Sequence, residues 1–426
     1  MAESSPAVSD SPSGGTTADK TTADETAKVS SAVARLYDTY PFPPEPLLDA
    51  APPGYNWRWH WPSAYSFCTG RRPKSDRVRI LDAGCGTGVG TEYLVHLNPE
   101  ADVVGIDLSE GAITVATERC QRSGADRVTF HTLSIYDVEQ IPGEFDLINC
   151  VGVLHHMPDP IRGIQALAKK LKPGGIFHIF VYAELGRWEI QLTQAAIALL
   201  QGDQKGDYTD GVQVGRTLFS SLPSENRLRK REETRWSLEN QRDECFADMY
   251  VHPQEVDYNV KTLFELIDAA GLEFVGFSNP QYWDLSRLIG TAPDLMARAE
   301  GLGVRDRYRL TELLDPEVTH YEFFLGRPPL EKIDWADDAL LLAAVPERHA
   351  CMEGWPSRSF FNFDYQVVSI TEAEFAFLEK CGEGNLSLPV SVADILEAIE
   401  VAGSDGLEMV RSLQSRQLIM LSPTHS

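Results

Sequence analysis

Short apolar runs alternate with amphipathic segments of helical period along the first three quarters of the chain. The apolar runs have the length of buried strands and span residues 78–81, 103–106, 128–133, 144–151 and 176–182. Segments between them, such as 110–123 and 164–171, place apolar side chains along one side of a helix. Strands that alternate with helices are typical of a parallel sheet covered on both faces. The pattern therefore predicts a doubly wound α/β domain.

The alternation is interrupted after the fifth predicted strand. Residues 184–255 intervene before a helical pattern returns at 260–269, and apolar strands follow at 272–277 and 321–325. A structureless connection of this length is uncommon in a compact domain, and the apolar stretch 188–200 is predicted to be helical. Because the insertion follows the carboxyl end of a strand, where α/β sheets bind ligands, it is interpreted as a lid over a substrate.

The two ends of the chain differ from this α/β pattern. Residues 1–28 are small and polar and are expected to form a disordered tail, and the α/β domain is expected to span residues 29–330. Residues 331–426 contain three helical segments followed by an apolar strand, and Thr371 and Glu374 have the spacing of a helix capping box. This arrangement predicts a small α+β, winged-helix-like accessory domain.

A glycine-rich turn follows the first predicted strand. The sequence LDAGCGTG at 81–88 places Gly84, Gly86 and Gly88 where a strand turns into a helix, and glycine there lets the backbone close around a ligand. The second strand ends at Asp107, whose carboxylate can accept both hydroxyls of a ribose. The spacing matches neither the G-x-G-x-x-G of dinucleotide enzymes nor a phosphate loop, in which a Lys follows the glycines. The two features together predict a ligand with a ribose and disfavour a triphosphate.

These two stretches resemble the first and second motifs of class I S-adenosylmethionine-dependent methyltransferases, and LKPGG at 171–175 resembles a later motif. The resemblance implies a seven-stranded Rossmann-like sheet with an antiparallel last strand, and S-adenosyl-L-methionine as the cofactor. The glycine loop would hold the methionine moiety, Asp107 the ribose and Ser134 the adenine, although family members commonly have an acid in place of Ser134. The cofactor-binding residues implied in this way are Asp82, Gly84, Cys85, Gly86, Gly88, Asp107, Leu108, Ser134, Ile135 and Cys150.

Two adjacent histidines lie in GVLHHMPDP at 152–160, which resembles the substrate-facing segment of small-molecule methyltransferases. His155 and His156 are the candidate catalytic residues, because an imidazole can remove a proton from an attacking hydroxyl, amine or carbon acid. The alternative is that they orient the loop or bound waters. The candidate substrate-binding residues are Tyr37, Tyr40, Tyr182 and His252. For the tyrosines of the first helix, the alternative is that they pack this helix against the domain.

The reaction implied by the resemblance is direct in-line transfer of a methyl group to a small molecule. No metal is expected, because the positive sulfonium already supplies the leaving group. Two alternatives remain open. One is a protein-lysine methyltransferase, and the other is a non-catalytic S-adenosylmethionine-binding scaffold in which the C-terminal module does the work.

Composition narrows the range of partners. A formal net charge of −25 opposes binding to phosphate backbones, and the basic side chains at 227–235 are interleaved with glutamates, so neither DNA nor RNA is expected. Seven cysteines without C-x-x-C spacing argue against a disulfide framework or a zinc site and indicate a reducing, cytoplasmic compartment. No apolar run approaches the length of a membrane span, about 20 residues. The acidic C-terminal domain is expected to control the active site or to form a homodimer.

Overall fold

The computed structural model describes residues 17–362, 365–381, 390–401 and 403–423. Its strands, in chain order, are β1 (Arg79–Ala83), β2 (Asp102–Asp107), β3 (Val128–Thr132), β4 (Phe145–Val151), β5 (Leu171–Tyr182), β6 (Glu273–Phe277), β7 (His320–Gly326), β8 (Val345–Arg348), β9 (Ser359–Phe361), β10 (Val367–Ser369) and β11 (Ile419–Ser422). Its α-helices are α1 (Thr17–Thr39), α2 (Trp61–Thr69), α3 (Val89–Leu97), α4 (Glu110–Ser123), α5 (Pro160–Lys170), α6 (Trp188–Gln201), α7 (Tyr208–Ser221), α8 (Arg227–Arg231), α9 (Asp243–Tyr250), α10 (Val260–Ala270), α11 (Ser286–Ile289), α12 (Pro293–Glu300), α13 (Val304–Leu314), α14 (Asp338–Ala343), α15 (Glu372–Lys380), α16 (Val392–Ala398) and α17 (Ser404–Ser415).

Seven strands form one sheet in the order β3-β2-β1-β4-β5-β7-β6. The first five strands are parallel, whereas β7 runs antiparallel to both of its neighbours. The predicted seven-stranded Rossmann-like sheet with an antiparallel last strand is therefore confirmed. The chain order reverses between β1 and β4, and such a switch point opens a crevice for ligands at the carboxyl ends of the strands.

Apolar side chains on the two faces of the sheet pack against different helices. Along β1, Ile80 joins a cluster that includes Leu94 of α3, while the next residue, Leu81, joins a cluster that includes Leu167 of α5 and Leu263 of α10. This alternation is the two-residue period of a strand buried on both faces. The sheet is thus buried on both faces, and the loops at the carboxyl ends of its strands are the segments that can form a ligand site.

The N-terminal helix packs against the insertion that follows β5. Leu36 of α1 is fully buried in a cluster with Ile197 of α6, Tyr208 of α7 and Phe246 of α9. Residues 17–28, expected to be part of a disordered tail, instead form the first turns of α1, and residues 1–16 lie outside the described residues. Propensity-based reasoning missed this start because the early residues are small and polar, although Ala and Lys favour a helix.

The C-terminal region forms a separate small core around α14 to α17. Its strands make two antiparallel pairs, β8 with β11 and β9 with β10, so a small α+β module is present as predicted. Trp335 donates a hydrogen bond of 2.6 Å to the Gly70 carbonyl, and the Tyr365 hydroxyl accepts one of 2.5 Å from the Tyr55 N–H. The module therefore docks on the segment before β1. Among the described residues, no helix has the length and apolar content that a membrane crossing requires.

Candidate active site

A cavity of about 780 Å³ opens at the carboxyl ends of β1, β2, β4 and β5, with α1 and the insertion lining its other side. Its wall includes Gly84, Gly86 and Asp107. The part of the wall that includes His156 from the turn after β4 and Asp248 from α9 is called the chamber below. Since both sets of residues line one continuous space, a ligand on the glycine loop shares that space with the chamber.

The glycines of the loop after β1 are needed for space as well as for backbone conformation. Gly84 and Gly86 have φ of 77° and 51°, in the left-handed region. A Cβ on Gly84 would lie 2.4 Å from the Val153 side chain, and a Cβ on Gly86 would lie 2.5 Å from the Phe42 carbonyl oxygen. Both neighbours belong to segments that line the cavity, so the loop is compressed between them and leaves its main chain open to a ligand.

The segment between α1 and the first 3-10 turn crosses the glycine loop as a strap, defined here as residues 42–46. The Thr87 N–H donates to the Phe42 carbonyl at 3.1 Å, and the Thr87 hydroxyl donates to the Pro43 carbonyl at 2.6 Å. Buried Arg119 of α4 donates to the carbonyls of Glu45 and Pro46 at 2.7 and 2.9 Å. These bonds hold the strap at one rim of the cavity.

Asp107 is fixed at the end of β2 by main-chain donors. The Gly86 N–H and the Ser109 N–H each donate to one of its carboxylate oxygens at 2.9 Å. Burial raises the pKa of Asp107, and these two bonds oppose the increase. Each oxygen still has a lone pair to offer, so this wall residue can accept hydrogen bonds from vicinal hydroxyls of a ligand.

A line of polar side chains crosses the sheet directly under the cavity. Asn149 donates to Asp82 at 2.7 Å, and the Nδ1 of His178 lies 2.8 Å from the Asn149 side-chain oxygen. Nε2 of His178 lies 3.1 Å from a carboxylate oxygen of Glu322. Burial raises the pKa of Glu322, but its bond with His178 and the charge of Arg58 prevail and lower it to about 2. The line thus joins β1, β4, β5 and β7.

His156 in the wall of the chamber stacks on His252 behind it, and the two rings hold opposite tautomers. The rings of His156 and His252 lie 3.7 Å apart between centroids. The Gln254 carbonyl oxygen lies 2.9 Å from Nδ1 of His156, and the Gln254 N–H donates to Nδ1 of His252 at 3.1 Å. His156 therefore carries its proton on Nδ1 and keeps a free lone pair on Nε2, whereas His252 carries its proton on Nε2. Burial lowers the pKa of His156 to about 3, so the ring is neutral at pH 7.

Asp248 brings a buried carboxylate to the same chamber. It is 6% exposed, and the Tyr37 hydroxyl donates to it at 2.9 Å. Nε2 of His252 lies 3.3 Å from the Tyr37 oxygen, so proton donors run from His252 through Tyr37 to Asp248. Burial raises the pKa of Asp248 to about 6, against the opposing effects of the Tyr37 bond and the Arg187 charge. At neutral pH the carboxylate is charged, with Tyr37 as its hydrogen-bond donor within the described residues.

An ion cluster supports the far wall of the chamber. The guanidinium of Arg187 lies 3.4 Å from the ring centroid of Tyr182 and donates to both carboxylate oxygens of Glu255 at 3.2 Å. Asp257 lies 3.8 Å from its Nε atom. Two acids thus flank the buried guanidinium, although burial raises the pKa of both and that of Glu255 to about 8, and Arg187 packs on the Tyr182 ring at the cavity wall.

Most of the residues implied by the family resemblance converge on the cavity. Those that line it are Asp82, Gly84, Cys85, Gly86, Asp107, Leu108, Ser134 and Ile135. Gly88 instead faces α4, where a Cβ would lie 2.7 Å from Ala116, and Cys150 is wholly buried in the core. These two positions shape the fold and do not form part of the described lining.

Some of the candidate catalytic and substrate-binding residues also line the cavity, and others lie behind its wall. His156, Tyr37 and Tyr182 line the cavity. His155 is fully buried behind them, and neither ring nitrogen has a hydrogen-bond partner in the described part of the chain. His252 lies one layer behind, against His156 and Tyr37, and Tyr40 packs with the cluster that joins α1 to the insertion.

Sequence reasoning missed several lining residues, above all Asp248 and Asn149. A usable signal existed for Asp248, because this acid lies in the same short segment, 248–253, as the candidate His252. For Asn149 the signal was a polar side chain in the middle of an apolar strand, which is costly unless it is hydrogen-bonded. Trp236 and Asn240 of the insertion gave no such signal.

Comparisons with known proteins agree with this geometry. The family described as Methyltransferase domain matches residues 74–207. An uncharacterized protein of a Synechococcus species is 60% identical over 399 residues, which cover 93% of this chain and 94% of that protein. A ubiquinone biosynthesis O-methyltransferase of Methylococcus capsulatus is 40% identical over 98 residues, which cover 23% of this chain and 40% of that enzyme.

Among solved structures, PKMT2 from Rickettsia typhi superposes with a TM-score of 0.61 at 15% identity, covering 88% of this chain and 77% of that one. Its complex with AdoHcy gives a TM-score of 0.60 at 17% identity. At these identities the likeness concerns the fold. The family match spans the glycine loop, Asp107 and the first five strands of a sheet in the expected order. The chain therefore belongs to the class I S-adenosylmethionine-dependent methyltransferases.

Proposed function

We propose that this protein transfers the methyl group of S-adenosyl-L-methionine to a small-molecule acceptor bound in the chamber. The observation that carries the proposal is the continuity of the cavity. The carboxylate of Asp107 and the glycine loop line the same cavity as the proton-accepting groups of His156 and Asp248. Binding a donor and an acceptor side by side in one continuous cavity is the main requirement for direct transfer.

The glycine loop and Asp107 fit S-adenosyl-L-methionine, the cofactor of the family. Gly84 and Gly86 line the cavity, and the two carboxylate oxygens of Asp107, held by main-chain N–H groups, can accept hydrogen bonds from two hydroxyls. Ser134 and Ile135 would flank the adenine, because they line the cavity after β3. When bound, S-adenosyl-L-methionine supplies a methyl carbon activated by a positive sulfonium. The chain's own task is then to place a nucleophile in line with that carbon.

His156 is the histidine that can act on the acceptor. Its Nε2 lone pair faces the chamber, and the Gln254 carbonyl fixes the ring through Nδ1. Asp248 is the second group in the chamber able to accept a proton. His155 has no access to the cavity, so its role would be to support His156 and Tyr182, whose rings lie 4.1 and 3.9 Å away between centroids.

Burial of the chamber supports a small acceptor. Asp248, Met249 and His156 are all less than one tenth exposed, and helix α1 and the insertion cover them. A compact molecule can be enclosed here with water excluded, which strengthens the polar contacts that orient it. The relatives' names add that one similar enzyme methylates oxygen in ubiquinone biosynthesis, but the similarity covers the cofactor-binding part.

Methyl-labelled S-adenosyl-L-methionine tests the proposal directly. The purified full chain is incubated with the labelled donor and a cell extract separated into metabolites and proteins. Label in the metabolite fraction, lost with Asp107→Ala, is the expected result. Label in proteins alone would support a protein methyltransferase instead. Binding of the cofactor without transfer to either fraction would support a non-catalytic scaffold.

A further inference from the structure

Hydrogen-bond acceptors converge in the chamber. His156, Asp248 and His252 each place one nitrogen or carboxylate oxygen within 4.8 Å of the others. On His156, Nε2 is the nitrogen that is not engaged with the Gln254 carbonyl. A third acceptor, the side-chain oxygen of Asn240, is buried in the same lining and has no partner in the described part of the chain. A charged carboxylate with one neutral donor is costly to bury, so the chamber favours a ligand that brings positive charge or several donors.

The donors nearest to these acceptors are already engaged. The Tyr37 O–H donates to Asp248, and the Nε2–H of His252 faces the Tyr37 oxygen. The amide nitrogen of Asn240 donates to Glu232 and approaches the Met249 sulfur at 3.3 Å. An oxygen nucleophile that becomes an anion would therefore meet lone pairs where it needs N–H or O–H groups.

A divalent cation is the other kind of ligand that such a cluster suggests, with His156, Asp248 and His252 as its three ligands. The tautomer of His252 opposes this, because its Nε2 holds the proton while Nδ1 accepts from Gln254. The geometry opposes it too. The two rings are stacked with an interplanar angle of 24°, whereas ligand histidines must direct their in-plane lone pairs at one point.

We propose that the acceptor atom is an amine nitrogen, bound as an ammonium between Asp248 and Nε2 of His156. This inference rests on the proposed function and names the substrate class of the same site. An ammonium has up to three N–H donors and a positive charge, so it satisfies both acceptors at once. The aromatic side chains of Tyr37 and Trp236 also line the cavity, and aromatic rings attract cations.

The chemistry balances without any further reactant. The ammonium releases one proton to the Asp248 carboxylate, while His156 Nε2 keeps a hydrogen bond to a second N–H. The freed nitrogen lone pair forms the new C–N bond as the C–S bond breaks, and the electron pair of that bond goes to sulfur. The positive charge passes from sulfur to the methylated nitrogen, which leaves the product cationic beside Asp248.

Isothermal titration of the full chain, loaded with S-adenosylhomocysteine, tests the class of acceptor with the isosteric probes benzylammonium and benzyl alcohol at pH 7.5. Benzylammonium is expected to bind at least about tenfold more tightly, a difference of about 1.4 kcal/mol. Asp248→Asn is expected to abolish this preference. Asp243→Asn removes an exposed carboxylate from the same helix and is expected to leave it unchanged.

Equal affinity for the two probes, no measurable binding of benzylammonium, or an unchanged preference in Asp248→Asn would each overturn the inference. Stoichiometric Zn²⁺ binding that is lost in His156→Ala would overturn it in favour of a metal centre. Thermal melting of Asp248→Asn establishes that the variant is folded.

A second measurement uses the labelled metabolites described above. Cation exchange at low pH retains methylated amines, whereas methyl ethers and esters pass through. Label in the retained fraction is the expected result, and label in the flow-through alone would overturn the amine assignment while leaving methyl transfer intact. Absence of label from metabolites would defeat the proposed function, and the binding experiment would still decide the class of ligand.

Discussion

The hydroxyl of Tyr37 donates a hydrogen bond of 2.9 Å to the carboxylate of Asp248, across 211 positions of sequence. One residue belongs to α1, which precedes the sheet, and the other belongs to α9, the last helix of the insertion. The bond therefore links the two parts of the chain that cover the chamber. It also makes the Tyr37 hydroxyl the hydrogen-bond donor to this buried carboxylate within the described residues.

Replacement of Tyr37 by Phe is expected to shift the pH dependence of methyl transfer. Burial raises the pKa of Asp248 to about 6, and the Tyr37 bond opposes that increase. Wild-type activity should fall as the pH drops through about 6, where the carboxylate gains a proton. Without the Tyr37 donor the pKa rises further, so the acid limb of a kcat/KM profile should move to higher pH. His156 and His252 stay neutral and Arg187 stays charged over this range, whereas Glu255, whose pKa burial raises to about 8, titrates at higher pH than the acid limb. An unmoved acid limb would contradict the assignment.

Asp248→Asn is expected to stabilise the folded chain at pH 8 while it impairs turnover. The folded-state pKa of about 6 exceeds the usual value of 3.8, so the folded chain holds a proton that the unfolded chain has released. This group's contribution to stability is therefore present below about pH 4 and is lost as the pH rises through about 6. Removing the buried charge should raise the free energy of unfolding at pH 8 by about 1–3 kcal/mol. Urea unfolding of both proteins at pH 4.5 and 8 measures the difference, which should shrink at the lower pH.

Asp107→Ala is expected to weaken S-adenosylhomocysteine binding at least about tenfold, which corresponds to about 1.4 kcal/mol. The substitution removes the carboxylate that the Gly86 and Ser109 N–H groups hold at the cavity wall. Asp102→Ala, at the exposed start of the same strand, is the matched control and should bind normally. Calorimetric titration of the three proteins checks this expectation. Equal affinities would remove Asp107 from the cofactor site.

Gly86→Ala is expected to destabilise the protein and to weaken cofactor binding together. Its φ of 51° and the Phe42 carbonyl oxygen, which would lie 2.5 Å from an added Cβ, leave no room for a methyl group. Gly124→Ala measures the free-energy cost of the left-handed backbone without a steric clash. Gly124 has a φ of 78°, and among the described residues nothing beyond its chain neighbours lies within 4 Å of its Cβ position. That control should lose about 1–2 kcal/mol and retain binding. A Gly86→Ala variant with normal affinity would show that the strap moves aside easily.

His156→Ala is expected to reduce kcat/KM by about 10- to 100-fold, because the acceptor nitrogen loses a hydrogen bond to Nε2, with little change in S-adenosylhomocysteine affinity. His155→Ala is the comparison, because that ring is fully buried and does not line the cavity. It should lower stability by opening a void, with a smaller effect on kcat/KM once the protein is folded. Rapid-quench methyl transfer and thermal melting separate the two effects. If His155→Ala lost the activity and His156→Ala kept it, the roles would be exchanged.

The sheet and the cofactor loop could be predicted because local sequence determines them. The apolar strands and the glycines near Asp107 carry their own signals, and eight of the ten implied cofactor positions line the cavity. Gly88 and Cys150 lie outside the described lining, because a motif names neighbours in sequence without saying which side of a turn or strand they occupy. Gly88 faces Ala116, and Cys150 faces the core.

The chamber could not be predicted in the same way, because distant segments build it. Tyr37, His156 and Asp248 come from three separate elements, and their proximity depends on how α1 and the insertion fold over the sheet. Even the choice between His155 and His156 depends on the peptide of Gln254, which is 98 residues from His156 in the chain. Periodicity and motif spacing contain no information on such contacts.

The polar line under the cavity bears on folding fidelity. Asp82 is paired in register with Asn149, and Asn149 with His178, on three adjacent strands. A slip of one strand by two residues would keep every apolar side chain on its proper face, so hydrophobic burial alone distinguishes the correct pairing poorly. The same slip would remove the hydrogen bond from Asn149 and leave the buried Asp82 carboxylate with the Thr91 hydroxyl as its donor, at a cost of about 1–3 kcal/mol. The polar residues beneath the cavity thus also favour the correct alignment of the strands. Their replacement is expected to increase the fraction of misfolded chains.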